Sequence, residues 1–111
     1  MMNQTIVLTG LGASPGIAEG VARVIIPGDT LGEFVEGEIL VTTITDPTMV
    51  QAMVKAAGIV TNIGGITSHP AILSREMGIP CVVNTKDATT RIQSGTRLRV
   101  DGSKGEVRVL D

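Results

Sequence analysis

Residues 59–83 of the 111-residue chain read IVTNIGGITSHPAILSREMGIPCVV and carry the strongest local signals of structure. Two short apolar runs, Ile59–Thr61 and Cys81–Val83, lie at the two ends of this segment. Continuous apolar runs of this length are typical of parallel strands that are buried on both faces. The pair Gly64-Gly65 follows the first run and predicts a turn, so the segment is expected to fold as strand, turn, helix and strand.

A short helix is predicted between the turn and the second strand. Proline is favoured at the first helical position, because its fixed φ suits a helix and its missing N–H is not needed there. Pro70 therefore indicates the helix start, with Ser68 or His69 as the capping residue. Gly78 is expected to end the helix, and Pro80 prevents its continuation.

His69 is the only histidine of the chain, and it lies where the turn becomes the helix. A helix N-terminus presents unpaired N–H groups and the positive end of the helix dipole, which together attract anions such as phosphate. Thr67 and Ser68 add two hydroxyl groups, and Gly64-Gly65 lets a ligand approach the backbone closely. Histidine is partly neutral near neutral pH and can then act as a nucleophile. These residues alone favour a phosphoryl-accepting histidine and a structural histidine about equally.

Residues 64–80, GGITSHPAILSREMGIP, closely resemble the phosphohistidine signature of enzymes that use phosphoenolpyruvate. These enzymes include phosphoenolpyruvate synthase, pyruvate phosphate dikinase and enzyme I of the sugar phosphotransferase system. The resemblance extends over nearly the whole chain through three shorter motifs, each of them weak alone. These motifs are Gly12–Ala18 at the start of the domain, Thr45-Asp46-Pro47 at a turn in its middle, and Val100-Asp101-Gly102 with Gly105 in a closing hairpin.

The resemblance implies an α/β fold, namely the swivelling β/β/α phosphohistidine domain. This domain has a mixed sheet with a smaller second sheet and two to three short helices, and residues 1–111 would form one such domain. The resemblance makes His69 the catalytic residue and implies no metal site on this chain. Thr67 also matches the threonine that plant dikinases phosphorylate to switch off the nearby histidine. The residues that would position the phosphate are Gly64, Gly65, Thr67 and Ser68.

By the same resemblance, the chain is a phosphoryl carrier and a component of a phosphotransferase. His69 would be phosphorylated transiently and would shuttle the group between an ATP-binding domain and a pyruvate or phosphoenolpyruvate site, both on other domains or subunits. Positioning and charge stabilisation do most of the work in such transfers. No cofactor is expected to bind tightly here, and Mg²⁺ is expected on the partner domains during transfer. A chain of this length has no room for those domains and cannot complete the cycle alone.

Two positions depart from the family pattern. Ile66 stands where many members have a basic or polar residue, and Pro70 stands where alanine is usual. Neither change removes the nucleophile, but Ile66 leaves open which member's substrate applies. Two alternatives to the carrier domain therefore remain. One is a component of a related phosphotransferase with a different acceptor, and the other is a non-catalytic docking module of the same fold.

Composition argues against several other classes of protein. Hydrophobic residues make up 42% of the chain, but Phe34 is its only aromatic residue, so the core must be aliphatic and methionine-rich. The net charge of −2, with no basic patch and no aromatic stacking set, argues against a nucleic-acid partner. No apolar run reaches the ~20 residues of a membrane span. Cys81 is the only cysteine, so no internal disulfide is possible and a cytoplasmic location is expected. Cys81 is favoured as a core residue over a reactive thiol.

The N-terminal half predicts three strands, at Thr5–Leu8, Val21–Ile26 and Ile39–Thr43. The glycine-rich stretch Gly10–Gly20 is predicted to be an ordered loop and turn. A dinucleotide-binding motif is disfavoured because the glycine spacing does not fit and Pro15 falls where the helix should start. The connection Pro27–Gly37, together with Glu38, is favoured as a solvated acidic loop over a metal site, because its carboxylates are irregularly spaced.

Thr45-Asp46-Pro47 repeats the pattern of a capping residue followed by proline. It predicts a helix that runs to about Ala57 and ends at Gly58. The apolar face of this helix is favoured as core over an interaction surface. The predicted members of that face are Met49, Val50, Met53, Val54 and Ala57.

The C-terminal part predicts one more helix and a hairpin. Thr85–Ile92 is expected to be a short helix capped by Thr85. Two segments with alternating apolar residues, Thr96–Val100 and Glu106–Leu110, flank a glycine-containing turn and predict the hairpin. Its arginines could contact phosphate on a partner, but a solvated charged face is favoured. These arginines are Arg97, Arg99 and Arg108.

Overall fold

The computed structural model of the chain describes residues 7–26, 29 and 34–110. These residues form eight strands and three helices. The strands are β1 (Val7–Thr9), β2 (Leu11–Ser14), β3 (Ile17–Ile25), β4 (Ile39–Thr42), β5 (Gly58–Thr61), β6 (Cys81–Val83), β7 (Arg97–Asp101) and β8 (Glu106–Leu110). The helices are α1 (Val50–Lys55), which follows a 3-10 turn at Pro47–Met49, α2 (His69–Met77) and α3 (Ala88–Arg91).

The described strands belong to one mixed sheet with the order β1-β8-β7-β3-β4-β5-β6-β2. Neighbouring strands from β3 to β6 run parallel, and the other pairs are antiparallel. β3 is long enough to serve two partners, because residues 17–21 pair with β7 and residues 22–25 pair with β4. Only Gly10 separates β1 from β2, which lie at opposite ends of the order. The sheet must therefore curl until its two ends meet.

The parallel strands β4, β5 and β6 are buried on both faces, as their apolar sequences predicted. One face packs against α1 and α2 in a first core cluster, whose strand members include Leu40, Ile59, Cys81 and Val83. The other face packs against α3 and the antiparallel strands in a second cluster, whose strand members include Ile39, Val41, Val60, Val82 and Leu98. This layering is the predicted β/β/α arrangement, in which β3 joins the two sets of strands into one continuous order.

The stretch Gly10–Gly20 is not a loop, so that prediction was wrong. It contains β2 and the start of β3, which begins at Ile17 instead of Val21. Glycine masks the alternation of side chains in this stretch, and the strands form because β6 and β7 supply their pairing partners. Of the first predicted strand, residues 5 and 6 lie outside the described residues, and β1 begins at Val7.

The helix after β4 begins as predicted but is shorter. Asp46 caps its 3-10 turn, because the Asp46 carboxylate accepts a hydrogen bond from the Thr48 backbone N–H at 2.8 Å. α1 ends at Lys55 instead of about Ala57, and Gly58 is already the first residue of β5. Because α1 ends early, Ala56 and Ala57 connect it to the buried parallel strand β5.

The methionines of this helix are core residues, as predicted, but the buried face is not the predicted one. Residues at spacings of three and four share a helix face. The buried members are Met49, Ala52, Met53 and Ala56. Val54 is 57% exposed, and Val50 and Ala57 are only half-buried. The two valines therefore lie beside the buried stripe and not in it.

The last helix is also shorter than predicted. α3 begins at Ala88 with Asp87 as its N-cap, so Thr85 does not cap it. Thr85 is buried instead, and its hydroxyl donates to the Thr61 carbonyl at 2.9 Å. Lys86 adopts a left-handed backbone with φ of 80°, which a right-handed helix cannot include. The helix therefore starts only after this residue.

The acidic connection departs from the prediction at its C-terminal end. Glu33 and its neighbours lie outside the described residues, but Glu38 is half-buried and accepts hydrogen bonds from Arg23 Nε at 3.1 Å and Nη2 at 3.0 Å. Burial raises the pKa of Glu38, but the bonds from Arg23 and from the Val35 N–H outweigh it and hold the pKa below its ordinary value. Within the described ranges, no three His, Cys, Asp or Glu side chains form a group that could hold a metal ion.

The predicted hairpin is confirmed as β7 and β8. Arg99 donates from Nε to the Glu19 carboxylate at 2.8 Å, and Arg97 lies 3.9 Å from the same carboxylate. Arg108 lies 3.9 Å from Glu106. All three arginines are exposed and paired with acidic side chains, which is the solvated charged face that the sequence favoured.

Candidate functional site

The candidate site lies at the edge of the sheet where the parallel strands β4, β5 and β6 end. In both open and closed parallel sheets, ligands bind outside the carboxyl ends of the strands. The turns that follow these strands are held together by backbone hydrogen bonds. The Ile63 N–H donates to the Thr43 carbonyl at 3.1 Å, and the Lys86 N–H donates to the Asn62 carbonyl at 2.8 Å. These bonds connect the segments that follow β4, β5 and β6, and α2 begins after the turn that follows β5.

His69 is the first residue of α2, and Ser68 is its N-cap, with Pro70 following in the first turn. Gly78 adopts the left-handed conformation and ends the helix. These positions confirm the sequence-based placement. The side chain of His69 is half-buried. The reason is its contact with the turn after β4.

Thr45 fixes the orientation of the His69 ring. Its hydroxyl Oγ1 lies 2.7 Å from His69 Nδ1, so one ring nitrogen is committed to a hydrogen bond. Thr45 is only 3% exposed, and a buried hydroxyl is an oriented partner. Among the described residues, none makes a hydrogen bond to the other ring nitrogen, Nε2. The ring therefore leaves Nε2 without a partner among the described residues.

The turn before α2, residues 64–68, is called the histidine turn below. Gly64 has φ of 124°, a conformation that residues with a side chain rarely adopt. A Cβ atom on Gly65 would meet no heavy atom of the described residues within 4 Å, so the backbone faces open space among them. The side chain of Thr67 is exposed. Open backbone and an exposed hydroxyl near a helix N-terminus leave room for an anion.

Ser68 has a structural role in this turn. Its hydroxyl donates to the Gly65 carbonyl at 2.7 Å, and its backbone N–H donates to the same carbonyl at 3.0 Å. The hydroxyl makes no capping bond to the helix, although Ser68 occupies the N-cap position. The structure therefore brings Ser68 close to His69 but already uses its proton inside the turn.

Two residues near the site were not singled out as site residues from the sequence, namely Thr45 and Arg75. Arg75 donates one hydrogen bond to the Ile66 carbonyl of the histidine turn, at 2.8 Å. The sequence did contain a signal that could have placed Thr45 near His69. It follows a buried strand parallel to β5, and the carboxyl ends of adjacent parallel strands meet at one edge. No local signal predicts the contact of Arg75, because its acceptors are backbone carbonyls.

Cys81 takes no part in this site. It is fully buried in β6, and its burial raises the pKa of the thiol to about 11. The Ser74 hydroxyl and the Arg75 guanidinium act in the opposite direction but do not offset this effect. The thiol therefore stays protonated at neutral pH, which confirms the interpretation of Cys81 as a core residue.

The sequence pattern of one protein family, described as PEP-utilising enzyme, mobile domain, matches residues 34–105. This range covers more than half of the chain and includes β4, the histidine turn, His69 and β7, the first strand of the hairpin. The chain therefore belongs to the mobile-domain family of the PEP-utilising enzymes.

Curated relatives carry this likeness further. The chain is 55% identical over 102 residues to phosphoenolpyruvate synthase of Pyrococcus furiosus, which covers 92% of this chain and 12% of that protein. It is 48% identical over 101 residues to phosphoenolpyruvate synthase of Aquifex aeolicus, which covers 91% of this chain and 12% of that protein. The chain thus spans about an eighth of the length of these relatives.

Solved structures support the fold. A solution structure of Enzyme I superimposes with a TM-score of 0.63 and 31% identity, over 73% of this chain and 34% of the other. Aconitase X of Thermococcus kodakaraensis superimposes with a TM-score of 0.68 over 96% of this chain and 99% of the other, but at 22% identity it shows the fold alone.

None of the helices in the described part of the chain is long and apolar enough to cross a membrane.

Proposed function

We propose that this chain is a phosphoryl carrier in which His69 Nε2 accepts a phosphoryl group and passes it on. The donor would be a nucleotide triphosphate on an ATP-binding domain or subunit, and the acceptor site would hold pyruvate or phosphoenolpyruvate on another. Family membership and the names of the curated relatives support this assignment. Because the chain spans only 12% of such relatives, both partner sites must lie elsewhere.

The observation that carries the proposal is the 2.7 Å contact between Thr45 Oγ1 and His69 Nδ1. A neutral imidazole has one N–H and one lone pair. If Nδ1–H donates to the Thr45 hydroxyl, the lone pair lies on Nε2, which no described residue engages. In this tautomer the hydrogen bond leaves Nε2 as the nucleophilic nitrogen and fixes the direction of its lone pair.

The phosphoryl transfer takes two steps. In the first, Nε2 forms a bond to phosphorus while the bond between phosphorus and the donor oxygen breaks, and the donor oxygen keeps the electron pair. The ring is then cationic, and Nδ1–H continues to donate to Thr45 Oγ1. In the second step an acceptor oxygen attacks phosphorus and the electron pair returns to Nε2. Positioning of the three partners is the main requirement for such steps.

The start of α2 is suited to the phosphoryl oxygens. Among the described residues, none accepts a hydrogen bond from the backbone N–H of His69 or Ala71. These groups and the helix dipole favour negative charge at this end. The exposed Thr67 hydroxyl and the open space at Gly65 complete the proposed phosphate position. Mg²⁺ is proposed to be held by the partner domains, because the described residues offer no group of three or more His, Cys, Asp or Glu side chains for it.

The proposal can be tested without the partners by using phosphoramidate, a small phosphoryl donor that releases ammonia. Intact mass and ³¹P NMR should show one phosphoryl group, bound through nitrogen, labile in acid and stable in base. His69→Gln should abolish labelling. Thr45→Val removes the hydroxyl and keeps the shape, so labelling should slow by about tenfold or more, whereas Thr45→Ser should keep most of the rate.

Three outcomes of that experiment would contradict the proposal. Base-labile, acid-stable phosphate on Thr67 or Ser68 would show that a hydroxyl is the nucleophile. Continued labelling of His69→Gln would do the same. Equal rates for Thr45→Val and Thr45→Ser would show that the hydrogen bond to Nδ1 does not direct the ring.

Thr67→Asp should inhibit labelling more than Thr67→Ala, because a carboxylate repels the incoming phosphoryl oxygens.

A further inference from the structure

β2 contains an irregularity in its pairing with β6, the strand that follows α2. Leu11 pairs with Val83 and Gly12 with Val82, but the next pair is Ser14 with Cys81. β2 therefore advances two residues while β6 advances one, and Ala13 has no partner residue on β6. This is the geometry of a β-bulge, which frees backbone groups from the ladder and occurs often next to functional sites.

Arg75 connects this bulge to the histidine turn. Its Nη1 donates to the Ala13 carbonyl at 2.8 Å, and its Nη2 donates to the Ile66 carbonyl, also at 2.8 Å. The two acceptors belong to elements that are far apart in the sequence. Arg75 itself lies in the second half of α2, so one side chain ties the bulge, the helix and the turn together.

We propose that Arg75 is a positioning residue that holds the histidine turn, and with it His69, in a fixed place against β2. Within the described ranges, residues 64–67 make one hydrogen bond beyond their own turn, which is the bond from Arg75 to Ile66. The turn begins with two glycines, which are the most flexible residues of the backbone. Without Arg75 the tip of the turn would be anchored only by its own contacts with Ser68.

The chemistry of the contact requires arginine. The guanidinium group is planar and presents separate donors in a fixed fork, so it can serve two carbonyl oxygens on different elements at once. Lysine would keep the charge, but a single ammonium nitrogen cannot occupy the positions of both Nη1 and Nη2. Arg75 therefore acts through backbone carbonyls and not through its net charge. Its consequence for phosphoryl transfer rests on the proposed function of His69.

The test compares Arg75→Gln and Arg75→Lys with a matched control, Arg91→Gln. Arg91 is an exposed arginine on α3, and no described residue pairs with it, so its removal changes the charge by the same amount. Two readouts need no phosphoryl donor. They are amide hydrogen exchange at Ser68 and Ile72, and the ¹⁵N shifts of the His69 ring. The third readout is the rate of labelling by phosphoramidate.

Both Arg75 variants should speed amide exchange at Ser68 and should shift the ring signals away from a fixed Nδ1 hydrogen bond. Both should slow labelling by about tenfold, because a misplaced nucleophile loses much of its rate. Arg91→Gln should change none of these readouts. The melting temperature of each variant should confirm that the fold persists during the measurements.

Several results would overturn this role. Full rescue by Arg75→Lys would show that the charge matters and not the fork. Slower labelling with unchanged exchange and ring signals would show that Arg75 acts on the phosphoryl group itself. If His69 is not labelled even in the parent chain, the proposed carrier function fails, but the exchange and ring measurements still decide whether Arg75 fixes the turn.

Discussion

Two regions of the molecule are both rich in glycine, but they differ in what fills the space that a side chain would occupy. In the first, here called the strand crossing, β2 passes directly over the turn between β7 and β8. A Cβ atom on Gly102 would lie 1.8 Å from the Ser14 carbonyl oxygen, and one on Gly12 would lie 2.2 Å from the Gly102 carbonyl oxygen. Backbone fills the space that a side chain would need.

The histidine turn presents the opposite case. A Cβ atom on Gly65 would meet none of the described heavy atoms within 4 Å, and the φ of 124° at the neighbouring Gly64 favours glycine there. Space that none of the described residues fills is available to a ligand. Glycine content alone therefore does not identify a phosphate site, because glycine can serve packing as well as access. The substitutions below test this difference, in order of their expected effect on the free energy of unfolding.

Gly102→Ala should have the largest effect. The new Cβ would lie far inside the ~3 Å limit of real contacts with the Ser14 carbonyl oxygen and 2.9 Å from the Cys81 N atom. Both are backbone atoms of paired strands, so relief would require β2 to move away from β6. We expect a loss of about 3 kcal/mol, measured by urea unfolding. A loss below about 1 kcal/mol would show that the strand crossing adapts, and the comparison would then fail at its first region.

Gly64→Ala should have an intermediate effect with a different cause. Alanine at a φ of 124° is strained, at a cost of about 2 kcal/mol. Its Cβ would also lie 2.9 Å from the Ser68 hydroxyl oxygen, which is the end of a flexible side chain and can move. Unfolding of the double variant with Ser68→Ala separates the two causes. Recovery of stability in the double variant would show that the contact, and not the backbone, sets the cost.

The sequence predicted the second region well and the first one poorly. The strand, turn, helix and strand around His69 are defined by local signals, namely apolar runs, the glycine pair, Pro70 and Gly78. The helix therefore begins and ends where these residues predict. In the stretch Gly10–Gly20, by contrast, the strands exist because distant segments pair with them. Local propensity contains no information about such partners, and the glycines there were attributed to a loop.

The same limit applies to the candidate site. His69 and the histidine turn were found from contiguous residues, whereas Thr45 and Arg75 act across the fold. The contact of Thr45 with Nδ1 follows from the parallel order of β4 and β5 and could be predicted once that order is known. The contact of Arg75 with Ala13 depends on a bulge in β2, and one extra residue in a strand leaves no recognisable local pattern.

Lys86→Gly should stabilise the protein slightly. Lys86 follows β6 at the same edge as the histidine turn and is held at φ of 80°, where a side chain is strained. Glycine relieves the strain but loses more conformational entropy on folding, so the net gain should be about 0.5 kcal/mol. Asn84→Gly is the control, since asparagine tolerates its φ of 60° and should gain nothing. Destabilisation by Lys86→Gly would show that the lysine side chain makes a stabilising contact at this edge.

Gly65→Ala should have the smallest effect on stability and a clear effect on chemistry. Its Cβ would meet no heavy atom in the described part of the chain within 4 Å, and the residue has no left-handed backbone, so the free energy of unfolding should change by less than about 0.5 kcal/mol. The ring signals of His69 should also stay unchanged. Labelling by phosphoramidate should nevertheless slow by about tenfold, because the methyl group enters the space proposed for the phosphoryl oxygens. Unchanged labelling would remove Gly65 from the phosphate position, and a large loss of stability would make this glycine a packing residue like Gly102.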